Sequence, residues 1–205
     1  MEGLTFRKAT PADTERIAEI IAGEPGREAV GLTGSVELAR RFGMAMVRLP
    51  NGPQGWERTL LAELDGEPVG IMQAGSDPQG VRLTPALVLL ALRVFGPLGA
   101  LRLLPRMRAR ARVQTGPPPG CYYIGELDVD PRYRNRGIGG ALLDYVEDEA
   151  RRGGYRLMSL TTTTSNPARR LYERHGFRVV ETKTDPEYER YTSIQGRVLM
   201  AKELE

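Results

Sequence analysis

The sequence predicts a mixed α/β domain, and two patterns lead to this fold class. From residue 120 to residue 182, the patterns follow one another as strand, turn, helix, strand, helix and strand. The preceding half adds one strand, two helices and a strand hairpin. A chain of 205 residues suits one domain with an insertion and can bury a sizeable core. We therefore expect residues 1–205 to form a single domain.

The first half opens with a strand pattern at Leu4–Lys8. Thr10-Pro11-Ala12-Asp13 then supplies a helix N-cap, a proline at the first helical position and an acid in the first turn. Isoleucines at helical spacing give this helix an apolar face, and Gly23 is its expected end. The chain thus predicts a strand followed directly by a helix.

A loop, a second helix and a hairpin follow. The loop is glycine-rich and is predicted from Gly23 to Gly34, and the second helix runs from Ser35 to about Val47. Thr59 to Leu64 and Pro68 to Gly75 have strand patterns. The Asp65-Gly66 dipeptide between them is a strong signal for a tight hairpin turn.

The turn after the next strand carries the strongest ligand signal. Tyr122 to Val129 has a strand pattern, and Ile138, Leu142 and Val146 share one face of the following helix. Between them, Arg134-Asn135-Arg136-Gly137-Ile138-Gly139 lets a ligand approach the backbone and the unpaired first-turn N–H groups. Its arginines add mobile positive charge. Such a turn suits a phosphate or pyrophosphate, although a turn that binds nothing uses similar glycines.

Three further elements complete the pattern. Leu157 to Thr162 is a strand, and Asn166-Pro167 places an N-cap residue before a proline at a first helical position. A short helix from Ala168 to His175 ends at Gly176, a natural left-handed cap. Phe177 to Val180 then begins the last strand of the motif.

Three motifs in this region resemble the GNAT-type N-acetyltransferase superfamily. They are the strand end Leu127 to Pro131, the run Arg134-x-x-Gly137-x-Gly139, and the block Asn166-Pro167-Ala168-x-x-Leu171-Tyr172-x-x-x-Gly176-Phe177. The resemblance implies a central, mixed, mostly antiparallel twisted sheet with helices on both faces. It also implies acetyl-CoA as co-substrate and direct transfer of its acetyl group to a primary amine of a small molecule or peptide, in a ternary complex.

The resemblance also indicates which residues bind the cofactor. It implies that the strand end pairs with the pantetheine arm, that the amides of the turn take the pyrophosphate, and that the asparagine contacts the pantetheine. The positions carried over are Leu127, Asp128, Val129, Arg134, Asn135, Arg136, Gly137, Ile138, Gly139, Gly140, Asn166 and Tyr172.

Tyr172 stands where the family usually keeps its general acid. A phenol near its reference pKa of about 10 stays protonated at neutral pH and can donate to a leaving thiolate. Glu126 is the candidate base, since a carboxylate within a central strand is costly unless solvated or paired, and Asp128 has the same parity and is its rival. Both assignments have a structural alternative. Tyr172 could be an aromatic residue of the core, and either carboxylate could bind the arginines of residues 81–115.

The acceptor side is less defined. By resemblance, residues 24–34 contact the substrate, and Tyr123, Tyr188 and Tyr191 are further candidates. His175 lies at a helix C-terminus, where a structural role is favoured. The sequence does not identify the acceptor. It leaves a second functional class open, a non-catalytic acyl-CoA-binding or protein-interaction module.

Residues 81–115 are a departure from the family pattern. About 35 residues replace a short link, and a connection of that length normally carries structure of its own. An apolar run from Ala86 to Phe95 breaks at Gly96-Pro97, and a second run from Leu98 reaches Pro105. We expect a short helical hairpin whose second arm ends near Pro105.

The role of this insertion remains open in the sequence. Arginines occupy every second position from Arg106 to Arg112, and no acid lies between Asp77 and Glu126. The apolar part is expected to pack on the core or on a second subunit, leaving the basic part near the acceptor entrance or a dimer seam. A basic cover that selects an anionic substrate and peripheral contact with acidic lipid or nucleic acid are alternatives. Alternating arginines spread around a helix, which argues against a nucleic-acid face.

A membrane span is not expected, because Arg93, Arg102 and the glycine-proline break leave no apolar stretch near the ~20 residues needed. Cys121 is the only cysteine, so no internal disulfide forms, and a metal site is not expected with one histidine and one cysteine. The strand pattern at Leu4 leaves no room for a leader, so we expect a cytoplasmic protein. A homodimer is the expected assembly.

Overall fold

The computed structural model describes residues 3–49, 52, 54–76 and 84–204. Within these residues the strands are β1 (Leu4–Lys8), β2 (Thr59–Leu64), β3 (Glu67–Gly75), β4 (Tyr122–Val129), β5 (Leu157–Thr163), β6 (Arg178–Thr184) and β7 (Gly196–Glu203). The α-helices are α1 (Thr14–Ala22), α2 (Arg27–Thr33), α3 (Val36–Val47), α4 (Pro85–Arg112), α5 (Ile138–Arg152), α6 (Arg169–Arg174) and α7 (Pro186–Thr192).

All of these strands belong to one sheet with the order β1-β2-β3-β4-β5-β7-β6. Every neighbouring pair is antiparallel except β4 and β5, which are parallel. The parallel pair needs a crossover, and α5 supplies it. The mixed, mostly antiparallel sheet predicted by the resemblance is confirmed.

The core lies on both faces of the sheet. Because side chains alternate along a strand, Leu60 and Met72 pack against α5, while Leu61 and Ile71 face the opposite side and pack with α1. On the α5 side, Leu142 of that helix is completely buried. Helices therefore cover both faces, as expected.

The predicted glycine-rich loop between Gly23 and Gly34 is wrong, because α2 occupies most of it. Gly31 lies inside this helix where a Cβ atom would come 2.4 Å from the carbonyl oxygen of Tyr191 in α7. The glycine therefore permits close approach of two helices and does not signal a loop. The second predicted helix is confirmed, and Ser35 caps it by accepting a hydrogen bond of 3.1 Å from the amide of Leu38.

The insertion forms α4, a helix bent at Gly96, where φ is 69° and ψ is 171°. The predicted break at this glycine is confirmed, but the predicted end near Pro105 is wrong. Contacts beyond the proline hold the helix together, because Ala109 and Val113 are buried beside α7. Residues 81–83 of the predicted insertion lie outside the described residues.

The basic part of α4 docks on the domain. In the apolar part Phe95 contacts Phe42 of α3, with 5.2 Å between ring centroids, but seven large apolar side chains of the helix are exposed instead of packing on the core. The side chain of Arg110 pairs with Glu28 at 2.7 Å, and that of Arg112 pairs with Asp185 at 2.6 Å. Arg106 donates to the carbonyl of Leu32 at 3.3 Å. Acids from α2 and α7 neutralise arginines that have none nearby in sequence. Among the described residues, one helix, α4, is long and apolar enough to cross a membrane, judged by length and composition alone.

Candidate active site

A bulge in β4 sets the direction of the two candidate base residues. Glu126 pairs with Gln73 of β3 and Ile124 pairs with Ala74, so Gly125 is an extra residue without an opposite partner. Ile124 is buried on the α5 side, and after the bulge Leu127 packs on that same side. The carboxyl groups at positions 126 and 128 therefore point to the opposite face.

The parallel strands β4 and β5 separate beside this bulge. Their pairing covers only Tyr122 to Ile124 of β4, opposite Met158 to Leu160, although β4 continues to Val129 and β5 to Thr163. The edge of β4 from Gly125 to Val129 thus has no strand beside it on the β5 side among the described residues. A wedge opens between the two strands, and the backbone groups along one wall have no strand partner. One of them, the carbonyl of Val129, accepts from the Arg134 side chain.

The turn at the mouth of this wedge presents backbone donors. Asn135 and Gly137 adopt left-handed conformations, with φ of 62° and 84°, and Gly137 is the N-cap of α5. The amides of the next three residues, 138–140, donate no hydrogen bond to any described residue. The first backbone bond of α5 is donated by Ala141 to the Gly137 carbonyl at 3.0 Å. These free donors lie at the positive end of the helix dipole.

Two of the glycines in this turn also serve packing. A Cβ atom on Gly139 would lie 3.1 Å from Leu171 of α6, and one on Gly140 would lie 3.4 Å from His175. Their lack of a side chain lets α5 approach α6 closely. The conformational requirement for glycine falls on Gly137 alone in this turn.

The arginines of the turn are not mobile charges, with one exception. Arg134 donates to the carbonyl of Val129 at 3.0 Å and pairs with Glu24 at 3.1 Å. Arg132 pairs with Asp130 at 2.9 Å. Arg136 lies over the ring of Tyr133 at 5.2 Å and has no ion pair with a described residue.

Asn166 holds the end of β5 to the start of α6. Its Oδ1 accepts from the amide of Ala168 at 2.8 Å, and its Nδ2 donates to Thr162 Oγ1 at 2.7 Å. The N-cap prediction for Asn166 is wrong: α6 begins at Arg169 with Ala168 as its N-cap, and Asn166 stabilises the turn before the helix. Its contact with pantetheine stays a prediction.

Tyr172 lies on α6 with 6% of its surface exposed, edge-on to Phe177 at 6.2 Å between ring centroids. Burial raises the pKa of its phenol above the ordinary value, and the charges of Glu126 and Asp128 raise it further. The phenol is therefore protonated at neutral pH. The structure brings this residue and both candidate bases together, although 44 or more positions separate them in the sequence.

The two carboxyl groups form a coupled pair. Burial raises the pKa of Glu126, while hydrogen bonds from Asp128 and Gln54 oppose the rise. The Gln54 amide donates to Glu126 Oε2 at 3.1 Å. Burial and the neighbouring Glu126 charge raise the pKa of Asp128 well above its usual range. The two carboxyl groups therefore titrate as one coupled pair, and the pKa of each is raised by burial.

Comparison with known proteins identifies the family. The profile of the Acetyltransferase (GNAT) family matches residues 37–177. The chain belongs to this family. The GNAT resemblance predicted from the three motifs is confirmed.

This GNAT acetyltransferase has relatives in sequence and in structure. A mycothiol acetyltransferase from Thermobispora bispora is 35% identical over 103 residues, which are 47% of this chain and 34% of that protein. The chain thus aligns with about a third of that relative's length.

Solved structures share the fold. The PaiA N-acetyltransferase from Thermoplasma acidophilum, solved in complex with coenzyme A, has a TM-score of 0.57 and 16% identity, over 98% of this chain and 99% of that chain. A GCN5-related N-acetyltransferase from Kribbella flavida has a TM-score of 0.56 and 21% identity, over 99% of both chains. Similarity at these identities establishes the fold alone.

An ion-pair cluster beside the acetyltransferase site was not foreseen from the sequence. Glu28 of α2 pairs with Arg197 of β7 at 2.5 Å and accepts from the hydroxyl of Tyr188 at 2.8 Å. The guanidinium of Arg110 completes the cluster. Nearby cations hold the pKa of Glu28 below its ordinary value, although burial acts in the opposite direction. Glu28 and Tyr188 therefore join elements of the fold, and no local pattern could have revealed the cluster.

The remaining candidates have structural surroundings. Cys121 is buried, and its sulfur lies 3.0 Å from Ser159 Oγ. His175 closes the C-terminal end of α6, with its Nε2 3.7 Å from Asp144. In the part of the chain that the structure describes, no group of three or more metal-ligand residues is close enough to hold an ion.

Proposed function

We propose that this acetyltransferase moves the acetyl group of acetyl-CoA to a primary amine by direct attack within a ternary complex. The observation that carries the proposal is the divergence of β4 from β5 directly in front of the N-terminus of α5. The free edge of β4 is therefore followed closely along the chain by the free amides at the start of α5. That pairing suits a ligand with an amide-bearing arm and a diphosphate.

The residues of the wedge fit coenzyme A. Backbone groups from Gly125 to Val129 can bond the two amides of the pantetheine arm as a neighbouring strand would. The amides of residues 138–140 can accept the diphosphate, because they have no acceptor in the described chain and lie at the positive end of the α5 dipole. We assign these two parts to positions carried over from the family resemblance, Leu127 to Val129 for the arm and Arg134 to Gly140 for the diphosphate.

The chemistry follows from the groups at the closed end of the wedge. The amine nitrogen forms a bond to the acetyl carbon, and the carbon–sulfur bond breaks. Glu126 accepts the proton that the amine loses, directly or through a water. Tyr172 donates its phenolic proton to the departing thiolate and regains one afterwards. Holding the two reactants together in attack geometry supplies a large share of the rate.

The acceptor is an amine whose identity the chain does not specify. Negative charge on the carboxyl pair attracts an ammonium group towards the site, and Glu126 then accepts its proton. We also propose that the reaction takes place in the cytoplasm.

Titration with acetyl-CoA in a calorimeter tests the cofactor site, and release of free CoA in the presence of amines tests transfer. We expect binding in the micromolar range and CoA release with at least one amine from a broad panel of small amines, peptides and aminoglycosides. Absence of binding would overturn the proposal. Binding without release across the whole panel would favour the second class, a non-catalytic acyl-CoA-binding module.

Replacing Tyr172 tests the general acid. Tyr172→Phe is expected to lower turnover on the order of 10²-fold, because the leaving thiolate loses its proton donor. Acetyl-CoA affinity should stay nearly unchanged, since the ring and its contact with Phe177 remain. Tyr145→Phe, the same deletion on α5 beside Phe6, is the matched control and should leave turnover intact. Full turnover in Tyr172→Phe, with chemistry limiting the rate, would remove this phenol from the mechanism.

A further inference from the structure

Most large apolar side chains of α4 face solvent. Ten large apolar side chains are exposed among the described residues, and seven of them lie on this helix: Val88, Leu89, Leu92, Leu98, Leu101, Leu104 and Met107. Leu98 and Leu101 are 71% and 61% exposed. A soluble chain that exposes so many apolar side chains on one element uses them to contact a partner or a membrane.

The same helix carries three cations that the domain does not use. Arg93, Arg102 and Arg108 are exposed, and none has a hydrogen bond or ion pair with a described residue. The other three arginines of α4 are held by α2 and α7. No aspartate or glutamate occurs from Pro85 to Arg112. The exposed surface is therefore apolar and purely cationic.

A second copy of the chain is a poor match for this surface. In a two-fold dimer the same patch appears on both subunits, so α4 would face α4. Arg93, Arg102 and Arg108 would then meet their own copies with no acid on either helix, and buried cations without partners are costly. The charge instead complements an anionic surface. The homodimer expected from the sequence is thus the alternative partner for this face of α4.

A bilayer crossing by α4 conflicts with the sheet. Gly75, at the end of β3, pairs directly with Tyr123 of β4, so the chain leaves for the insertion and returns from it at one place. A single crossing would put the two ends of the helix on opposite sides of a hydrocarbon core about 30 Å thick. The left-handed conformation at Gly96 further divides the helix into two short arms.

We propose that α4 docks this acetyltransferase on the surface of a bilayer that contains anionic phospholipid. The exposed leucines enter the boundary between headgroups and acyl chains, as in other interfacial helices. The arginine side chains extend their guanidinium groups back to the lipid phosphates. Ion pairs of Arg110 and Arg112 with α2 and α7 fix the other end of the helix, so docking sets the orientation of the whole domain.

Co-sedimentation of the full chain with vesicles tests the proposal. We expect binding to vesicles of phosphatidylcholine with phosphatidylglycerol, weaker binding to phosphatidylcholine alone, and loss of binding as salt increases. Leu98→Gln/Leu101→Gln should lower vesicle affinity by more than about tenfold, because the apolar anchor is lost. Arg93→Gln/Arg102→Gln/Arg108→Gln should lower it by about fivefold per arginine.

Matched control variants test whether vesicle binding depends on α4 itself and not on the total charge or apolar surface of the protein. Val179→Gln/Val180→Gln changes two exposed apolar residues on β6, and Arg152→Gln/Arg156→Gln/Arg178→Gln removes three exposed charges elsewhere. Both controls should bind vesicles like the wild type.

Light scattering without lipid tests whether the exposed face of α4 binds a second copy of the chain instead of a membrane. We expect the wild type and Leu98→Gln/Leu101→Gln to have the same mass. A wild-type dimer that dissociates in this variant, together with no vesicle binding, would assign the face to a second copy and overturn the proposal. Equal binding to neutral and anionic vesicles, or equal losses in the control variants, would also overturn it.

Discussion

Gly137→Asp is expected to abolish acetyl-CoA binding in calorimetric titration. Gly137 has a φ of 84° and caps α5 directly before the free amides of residues 138–140. An aspartate here adds a side chain and a negative charge where the proposed diphosphate lies. We expect a loss of affinity of more than about 100-fold, or roughly 3 kcal/mol.

Gly66→Asp is the matched control, because Gly66 has the same φ of 84° and lies in the β2–β3 hairpin with open space around it. It introduces equal charge and comparable backbone strain away from the wedge. Acetyl-CoA affinity in this control should equal that of the wild type. Wild-type affinity in Gly137→Asp would show that the diphosphate does not bind at the start of α5.

Glu126→Gln is expected to lower kcat/KM on the order of 10³-fold, as is typical when a general base is removed. Burial raises the pKa of Glu126, so in the wild type kcat/KM should fall as pH decreases through a pKa higher than that of an ordinary glutamate. This acidic limb should disappear in Glu126→Gln. A pH profile of the wild type and the variant measures both effects.

Asp128→Asn distinguishes the two carboxyl groups. Asp128 shares a hydrogen bond with Glu126, and an asparagine amide at this position can donate to Glu126. This variant should therefore retain kcat/KM within a few-fold and keep the acidic limb. The opposite result, with Asp128→Asn inactive and Glu126→Gln active, would make Asp128 the base.

Folding stability provides a control for both variants. Because burial raises the folded-state pKa of these carboxyl groups, their contribution to stability is present at low pH and is lost as pH rises through the folded pKa. Removing either ionisable group should therefore raise the free energy of unfolding at neutral pH. A denaturant titration then excludes unfolding as the cause of lost activity.

Local sequence determined the turns, the caps and most of the elements. Asp65 and Gly66 both adopt positive φ, as the Asp-Gly hairpin signal requires, and Ser35 caps α3 through its own side chain. The strand-to-helix turn around Gly137 could likewise be predicted. Each of these features depends on residues within a few positions of one another, so a short stretch of sequence contains the whole cause.

Pairing across the sheet decided the site, and the sequence alone could not predict it. The bulge at Gly125 appears only in the register between β3 and β4, and it turns Glu126 away from the α5 side. The wedge depends on where β5 stops pairing with β4. The raised pKa values of the carboxyl pair result from burial by elements distant in sequence, and Gln54 donates to Glu126 from another part of the chain.

The family and the glycine turn before α5 were determined by the sequence itself, because local patterns and motifs specify them. The tertiary structure decided which half of α4 docks, since Arg110 meets Glu28 and Arg112 meets Asp185 only after folding. It also decided that Glu28 pairs with Arg197, 169 positions away. Ion pairs between remote residues depend on the packing of whole elements, and no local pattern encodes that packing.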